Sequence, residues 1–211
     1  MTGKQARSRL TYERVLDAAA EEFARQGYPN TNLQRVAERT GLTKGALYGH
    51  FPSKEKLARA LVEQFDAALS TPDHDRTGGD DGTHASGGPD GTALGKLRSL
   101  TFSLADRLEN DIRTAAALRL VMDRAQRTGE PPTMLSRLRA HAVELVVEAQ
   151  RERDVDPELP AERVANVLLA VLFGAHCTAP VVNWTKLPDR VREMWDLLDP
   201  ALRGHRAEPG S

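Results

Sequence analysis

Residues able to do bond-making chemistry are scattered along most of this chain rather than gathered. The adjacent pair His176–Cys177 offers two metal-ligand types, but no second pair stands at a spacing that would complete a site. Asp154, Asp156 and Glu158 form an acidic cluster at a helix end, which reads as a solvated loop. There is no glycine-rich phosphate loop, no nucleophile elbow and no paired-carboxylate constellation. The sequence argues against an enzyme and requires neither a metal nor a cofactor.

One short segment does concentrate residues of a single purpose, and that purpose is recognition. Thr40-Gly41-Leu42-Thr43 reads as a turn between two short helices. Gly41 can take a positive φ at no steric cost, Leu42 points back into a small core, and Thr43 caps the next helix. That next helix, about Lys44 to His50, is the candidate recognition helix of a helix-turn-helix. Gly45 in its first turn lets backbone approach DNA closely, and Ala46 follows it. Lys44 supplies a donor, and Tyr48 and His50 have polar tips for phosphate oxygens. Leu47 and Phe51 are its core anchors. Pro52 stops the helix and Ser53 caps the one after it. Lys54 and Lys56 fall in that helix's first turn, where cations oppose the dipole. A nearby phosphate would explain them; two tolerated surface lysines are the alternative. Asn32, the N-cap of the preceding helix, and the basic Lys4, Arg7 and Arg9 complete the expected DNA-contacting set.

Charge supports the reading. The chain of 211 residues has a formal net charge of −1, but residues 1–64 carry +4 and the remainder −5. A basic head on an acidic body suits a head that meets phosphate, although chance could produce the same split. Cys177 is the only cysteine, so no intramolecular disulfide is possible, and a reducing cytoplasm fits. The N-terminal residues lack the apolar core of a signal peptide, and the longest apolar run, Val167 to Ala175, is too short to span a bilayer. The expectation is a cytoplasmic protein without a membrane partner.

The elements that must position these residues all read as helices. Leu16, Ala19, Ala20 and Phe23 form one stripe of a helix over about 10–26, closed by Gly27. Leu33, Val36 and Ala37 mark the second helix; Leu57, Ala60, Leu61 and Phe65 mark the fourth. Residues 71–92 contain six glycines and no Leu, Ile, Val or Phe, and read as a flexible linker. Beyond it the three- and four-residue period returns over about 93–109, 111–127, 133–152, 162–181 and 187–202. Few β-branched runs alternate with period two, so no sheet is expected and the class is all-α. The expected domains are a helix-turn-helix over 1–53, a connecting helix over 54–70, the linker, a body over 93–202 and a disordered tail over 203–211.

Gly27-Tyr28, Thr31, Leu33, Val36-Ala37, Gly41 through Phe51, Ser53-Lys54-Glu55 and Leu57 together resemble the DNA-binding head of the tetracycline-repressor (TetR) family. The likeness covers about residues 8–60. Thr43 through Tyr48 followed by His50-Phe51 is most similar to the γ-butyrolactone autoregulator receptors, which control antibiotic production in filamentous actinobacteria. Leu97 through Phe102 and Glu193-Met194-Trp195 echo their body. Three departures stand out. Tyr12 stands where many relatives carry an arginine. Gly49 replaces a usual aromatic residue. No tryptophan lies on the helix over about 133–152, where the receptors place one; the only tryptophans are Trp184 and Trp195.

The resemblance implies a homodimer that binds a double-stranded operator and is released by a small apolar signal. That signal is a butyrolactone, or a butenolide, furan-type molecule or antibiotic in view of the missing tryptophan. A multidrug or antibiotic sensor controlling an efflux pump is the alternative. It implies a cavity lined by Leu97, Leu100, Thr101, Leu104, Leu118, Met122, Leu138, Leu145, Leu172, Phe173 and His176, though plain core packing accounts for any one of them. Thr101, Asn166, His176 and Thr178 could orient a lactone carbonyl or hydroxyl, or bond neighbouring backbone. It implies a dimer interface on the last two helices, through Leu168, Leu172, Val191, Met194, Trp195 and Leu198; burial of the tryptophan within one protomer would serve as well.

Overall fold

The computed structural model describes residues 3–70, 91–182 and 186–204. Among them run nine helices and no strand: α1 (Gly3–Asn30), α2 (Leu33–Thr40), α3 (Lys44–His50), α4 (Lys54–Ser70), α5 (Ala93–Asn110), α6 (Ile112–Thr128), α7 (Thr133–Arg151), α8 (Ala161–Val182) and α9 (Leu187–Leu202). The all-α expectation holds. The linker over 71–92 lies almost wholly outside the described residues, as do Trp184 and most of the tail. Helix α1 begins well ahead of residue 10 because Gln5 through Arg9 contain no residue that opposes a helix. Its regular course breaks at Gly27, at φ 71° and ψ 174°, as its position after the apolar stripe predicts. No described helix is long and apolar enough to cross a membrane.

The chain forms two compact units. The first contains α1 to α4 and also α6, which the sequence groups with the body over 93–202. Its core joins Leu16, Ala19 and Phe23 of α1 to Val36, Leu47, Leu57 and Leu61, with Ala116 and Leu120 supplied by α6. Each fully buried large apolar side chain contributes about 1.5–3 kcal/mol. Polar contacts fix α6 in register. The Arg113 guanidinium reaches Glu13 at 2.6 Å and Asp17 at 2.7 Å, and donates to the Glu13 carbonyl at 3.0 Å. Burial works against the Arg113 charge, but the hydrogen bonds and charges of Asp17 and Glu13 outweigh it and hold the pKa above its ordinary value. Arg119 donates to the Ala24 carbonyl.

The second unit contains α5, α7, α8 and α9. Helix α5 packs on each of the other three. Leu97, Leu104, Leu138, Val146, Leu168, Leu172, Val191 and Trp195 are buried. Two helix starts in this unit are capped from a distance. Glu152 accepts from the Ala93 amide at 2.7 Å and Glu109 from the Leu187 amide at 3.2 Å, each satisfying a donor that its own helix leaves unpaired.

Candidate nucleic-acid interface

Local rules build the recognition face. The Asn32 side chain accepts from the Gln34 amide at 2.8 Å and starts α2. Gly41, at φ 70°, ends it in the left-handed conformation. The Leu42 amide then donates to the Ala37 carbonyl at 3.0 Å, so the chain reverses with its carbonyls satisfied. Thr43 accepts from the Ala46 amide at 3.2 Å and starts α3. Ser53 accepts from the Lys56 amide at 3.1 Å and starts α4. Leu47 and Phe51 bury the inner face of α3, and Phe51 stacks on Tyr12 at 4.8 Å between ring centroids.

With that face buried, the outer one is fixed. Lys44, Gly45, Ala46, Tyr48 and Gly49 are exposed, and His50 is half-buried. A side chain added at Gly45 or Gly49 would meet nothing within 4 Å. Glycine in a helix costs about 0.5–1 kcal/mol relative to alanine, and the fold gains no packing in exchange at either position. The Lys44 ammonium lies 5.9 Å from the centroid of the Tyr48 ring. Thr31, Asn32, Leu33, Gln34, Lys44, Tyr48 and Lys54 line an open cleft of about 590 Å³ between the start of α2 and α3. The arrangement sets side-chain donors beside exposed backbone, groups of the kind that contact phosphate when a helix faces a groove.

The other expected DNA contacts divide. Arg7 and Arg9 are exposed on the first turns of α1; the Lys4 side chain lies outside the described residues. Asn32 lines the cleft and Thr43 is exposed ahead of α3, and the side chains of both serve as caps. Lys54 is differently employed. Its ammonium donates to the carbonyls of Tyr28 at 2.8 Å, Thr31 at 3.1 Å and Pro29 at 3.2 Å, which engages all three of its protons within the protein.

The expected cavity residues are not brought together in one unit. Leu97, Leu104, Leu138 and Leu172 are buried in the second unit, and Leu100, Leu145, Phe173 and His176 are half-buried there. Leu118 and Met122 belong to the first unit, the former buried and the latter exposed. Thr101 is buried with its hydroxyl doubly used: it accepts from the Trp195 indole at 2.8 Å and donates to the Arg98 carbonyl at 2.8 Å. The Thr178 hydroxyl likewise bonds the Gly174 carbonyl at 2.8 Å, and the exposed Asn166 accepts from Arg139. Burial lowers the His176 pKa against the opposing pull of Glu109.

The residues expected at a dimer interface are for the most part packed inside one protomer, the alternative that the sequence left open for the tryptophan. Leu168, Leu172, Val191, Met194 and Trp195 are buried within their own protomer, and Leu198 is half-buried. Among the described residues, the large apolar side chains exposed on α8 and α9 are Val167 and Val171, about half exposed, and Leu197, 79% exposed. Sequence periodicity missed this face because α8 is apolar on nearly every side. It also missed Arg113 and Asp123, whose partners lie about a hundred residues away in the chain.

Residues 15–61 match the family model described as bacterial regulatory proteins, tetR family. The HTH-type transcriptional regulator TtgR of Pseudomonas putida is 26% identical over 212 residues, covering 92% of this chain and 94% of that protein. A crystal structure of a gamma-butyrolactone receptor described as ArpA-like has 29% sequence identity and a TM-score of 0.64, covering 90% of this chain and 87% of that one. The TetR family protein CprB from Streptomyces coelicolor, solved in complex with its biological operator sequence, has 29% identity and a TM-score of 0.70, covering 92% and 88%.

Proposed function

This chain belongs to the TetR family of bacterial transcriptional regulators, and we propose that it is a homodimeric, cytoplasmic repressor of antibiotic production, released from a palindromic operator by a small signal of the butyrolactone or butenolide kind. The observation that carries the DNA half is the outer face of α3, where Lys44 and Tyr48 stand beside exposed glycine backbone near the start of α2. The likeness to a gamma-butyrolactone receptor supports the ligand half. Two copies pair through Val167, Val171 and Leu197, apolar groups that a single copy leaves uncovered. The paired heads meet successive major grooves of one operator.

Ligand and operator are then linked by one coupling free energy. Whatever factor the signal takes from operator affinity, the operator takes from signal affinity. The test is anisotropy with labelled DNA from upstream of the chain's own gene, titrated with butyrolactones, butenolides, furans and antibiotics. Release by a butyrolactone or butenolide at low concentration supports the reading. Release by antibiotics alone favours the efflux-regulator alternative. Binding that no compound reverses removes the signal from the reading, and a Lys44→Ala variant that binds as tightly as wild type removes α3.

A further inference from the structure

The segment from Gly27 to Thr31 forms an elbow between α1 and α2, and it is gripped from two sides. From α4, Lys54 donates to three of its carbonyls. From α6, the Asp123 carboxylate accepts from the Tyr28 amide at 2.8 Å. The Tyr28 ring has a cation from each helix beside it, its centroid 4.8 Å from the Lys54 ammonium and 4.8 Å from the Arg127 guanidinium. Gly27 admits this close approach: a Cβ there would stand 2.8 Å from an Asp123 carboxylate oxygen. Inside the elbow, the Thr31 hydroxyl donates back to the Gly27 carbonyl at 2.7 Å. The next residue is Asn32, the cap of α2, and Thr31 through Gln34 form one wall of the cleft that Lys44 and Tyr48 form opposite.

We propose that Lys54 and Asp123 are positioning residues for the operator interface, which act through the elbow and not by touching DNA. Lys54 holds the carbonyl side of the elbow and Asp123 its amide side; together they set where the start of α2 stands relative to α3. A lysine in the first turn of a helix has a poor position with respect to that helix's dipole. Here its charge is answered by three carbonyl oxygens, so a phosphate is not needed to explain it. The inference rests on the reading of this unit as a DNA-binding head, and wild-type binding tests that reading separately.

The experiment uses the full-length protein and a duplex enriched by the wild type from a random pool. If the wild type enriches none, the DNA-binding reading fails and the proposal falls with it; if the wild type binds, the variants test the elbow alone. Lys54→Met is expected to weaken binding about tenfold. Its log–log salt slope should stay at the wild-type value, whereas loss of a phosphate contact lowers the slope by about 0.9. Lys54→Arg keeps the charge but replaces a compact ammonium with a planar fork, and should bind nearly as poorly as Lys54→Met. Asp123→Ala should match them, Asp123→Asn should stay near wild type because it retains an acceptor oxygen, and the Lys54→Met/Asp123→Ala pair should lose less than the product of the single effects. Wild-type affinity in Lys54→Arg, or a lowered salt slope in Lys54→Met, overturns the proposal. If Lys54→Met does not fold, Lys54→Arg and the two Asp123 variants decide alone.

Discussion

Gly49→Ala separates the stability of α3 from its contact with DNA. Gly49 has no positive φ, and an added methyl would meet nothing within 4 Å, so the protein accepts alanine there without strain. The change should stabilise the folded state by about 0.5–1 kcal/mol. For a chain of this size that raises the melting temperature by about 1–4 °C. Operator affinity should move the other way. The methyl stands on the face flanked by Lys44 and Tyr48 on one side and Ala46 and His50 on the other, the face that the proposed function turns to the groove. Disturbing one base-pair contact costs about 1–3 kcal/mol, a weakening of fivefold or more. Calorimetry gives the first number and fluorescence anisotropy at fixed salt the second. A variant that melts higher and binds DNA as well as wild type would refute the placement of Gly49 against the duplex. A variant that melts lower would refute the strain-free helix.

Other substitutions probe the two units. Gly41→Ala places a side chain in the left-handed conformation, which costs about 1–2 kcal/mol; Gly27→Ala places one at φ 71° and ψ 174°, a region all but reserved for glycine, at about 1–3 kcal/mol, and also presses on Asp123, so chemical denaturation should find it the more damaging of the two. Trp195→Phe removes the indole donor from Thr101 in a buried site and should cost about 1–3 kcal/mol in the same assay. His176 is harder to protonate in the folded protein than in the unfolded chain, so the unfolded state binds more protons as pH falls below about 6.5. Stability is therefore complete above that pH and declines below it; His176→Gln should flatten this part of the melting-temperature profile. Val171→Asp and Leu197→Asp should yield monomers by light scattering while leaving helix content unchanged, since both side chains face outward. Dimers from both variants would place the interface elsewhere.

The parts of this structure legible in the sequence are those that local chemistry decides. Asn32, Thr43 and Ser53 accept the amide bonds that their types and positions predict. Gly27 and Gly41 take positive φ where an apolar stripe ends. Leu47 and Phe51 are buried where the spacing places them. Legibility stops where the partner is distant. Nothing near Arg113 or Asp123 in the chain announces that α6 joins the first unit, because their partners are on α1 and the elbow. Thr101 and Trp195 carry atoms suited to a ligand or a partner surface, and they satisfy each other inside the second unit. In α8, Val164, Leu168 and Leu172 face inward while Val167 and Val171 face outward. A helix apolar on both faces has no period that tells one from the other.

Residue type alone also fails to assign a cation its role, as the two lysines around α3 show. Lys44 and Lys54 both belong to the family-like motif and both stand in the first turn of a helix. Among the described residues no carbonyl or carboxylate takes the protons of Lys44, and its ammonium lies beside the exposed Tyr48 ring. Those of Lys54 are taken by three carbonyls of the elbow. To reach a phosphate, Lys54 would have to give up bonds that the elbow then lacks, whereas Lys44 gives up only water. Removing Lys44 should therefore lower both affinity and salt slope, with the melting temperature unchanged. Removing Lys54 should lower affinity and melting temperature and leave the slope intact, so measuring all three quantities on both variants distinguishes a residue that touches DNA from one that holds the surface that does.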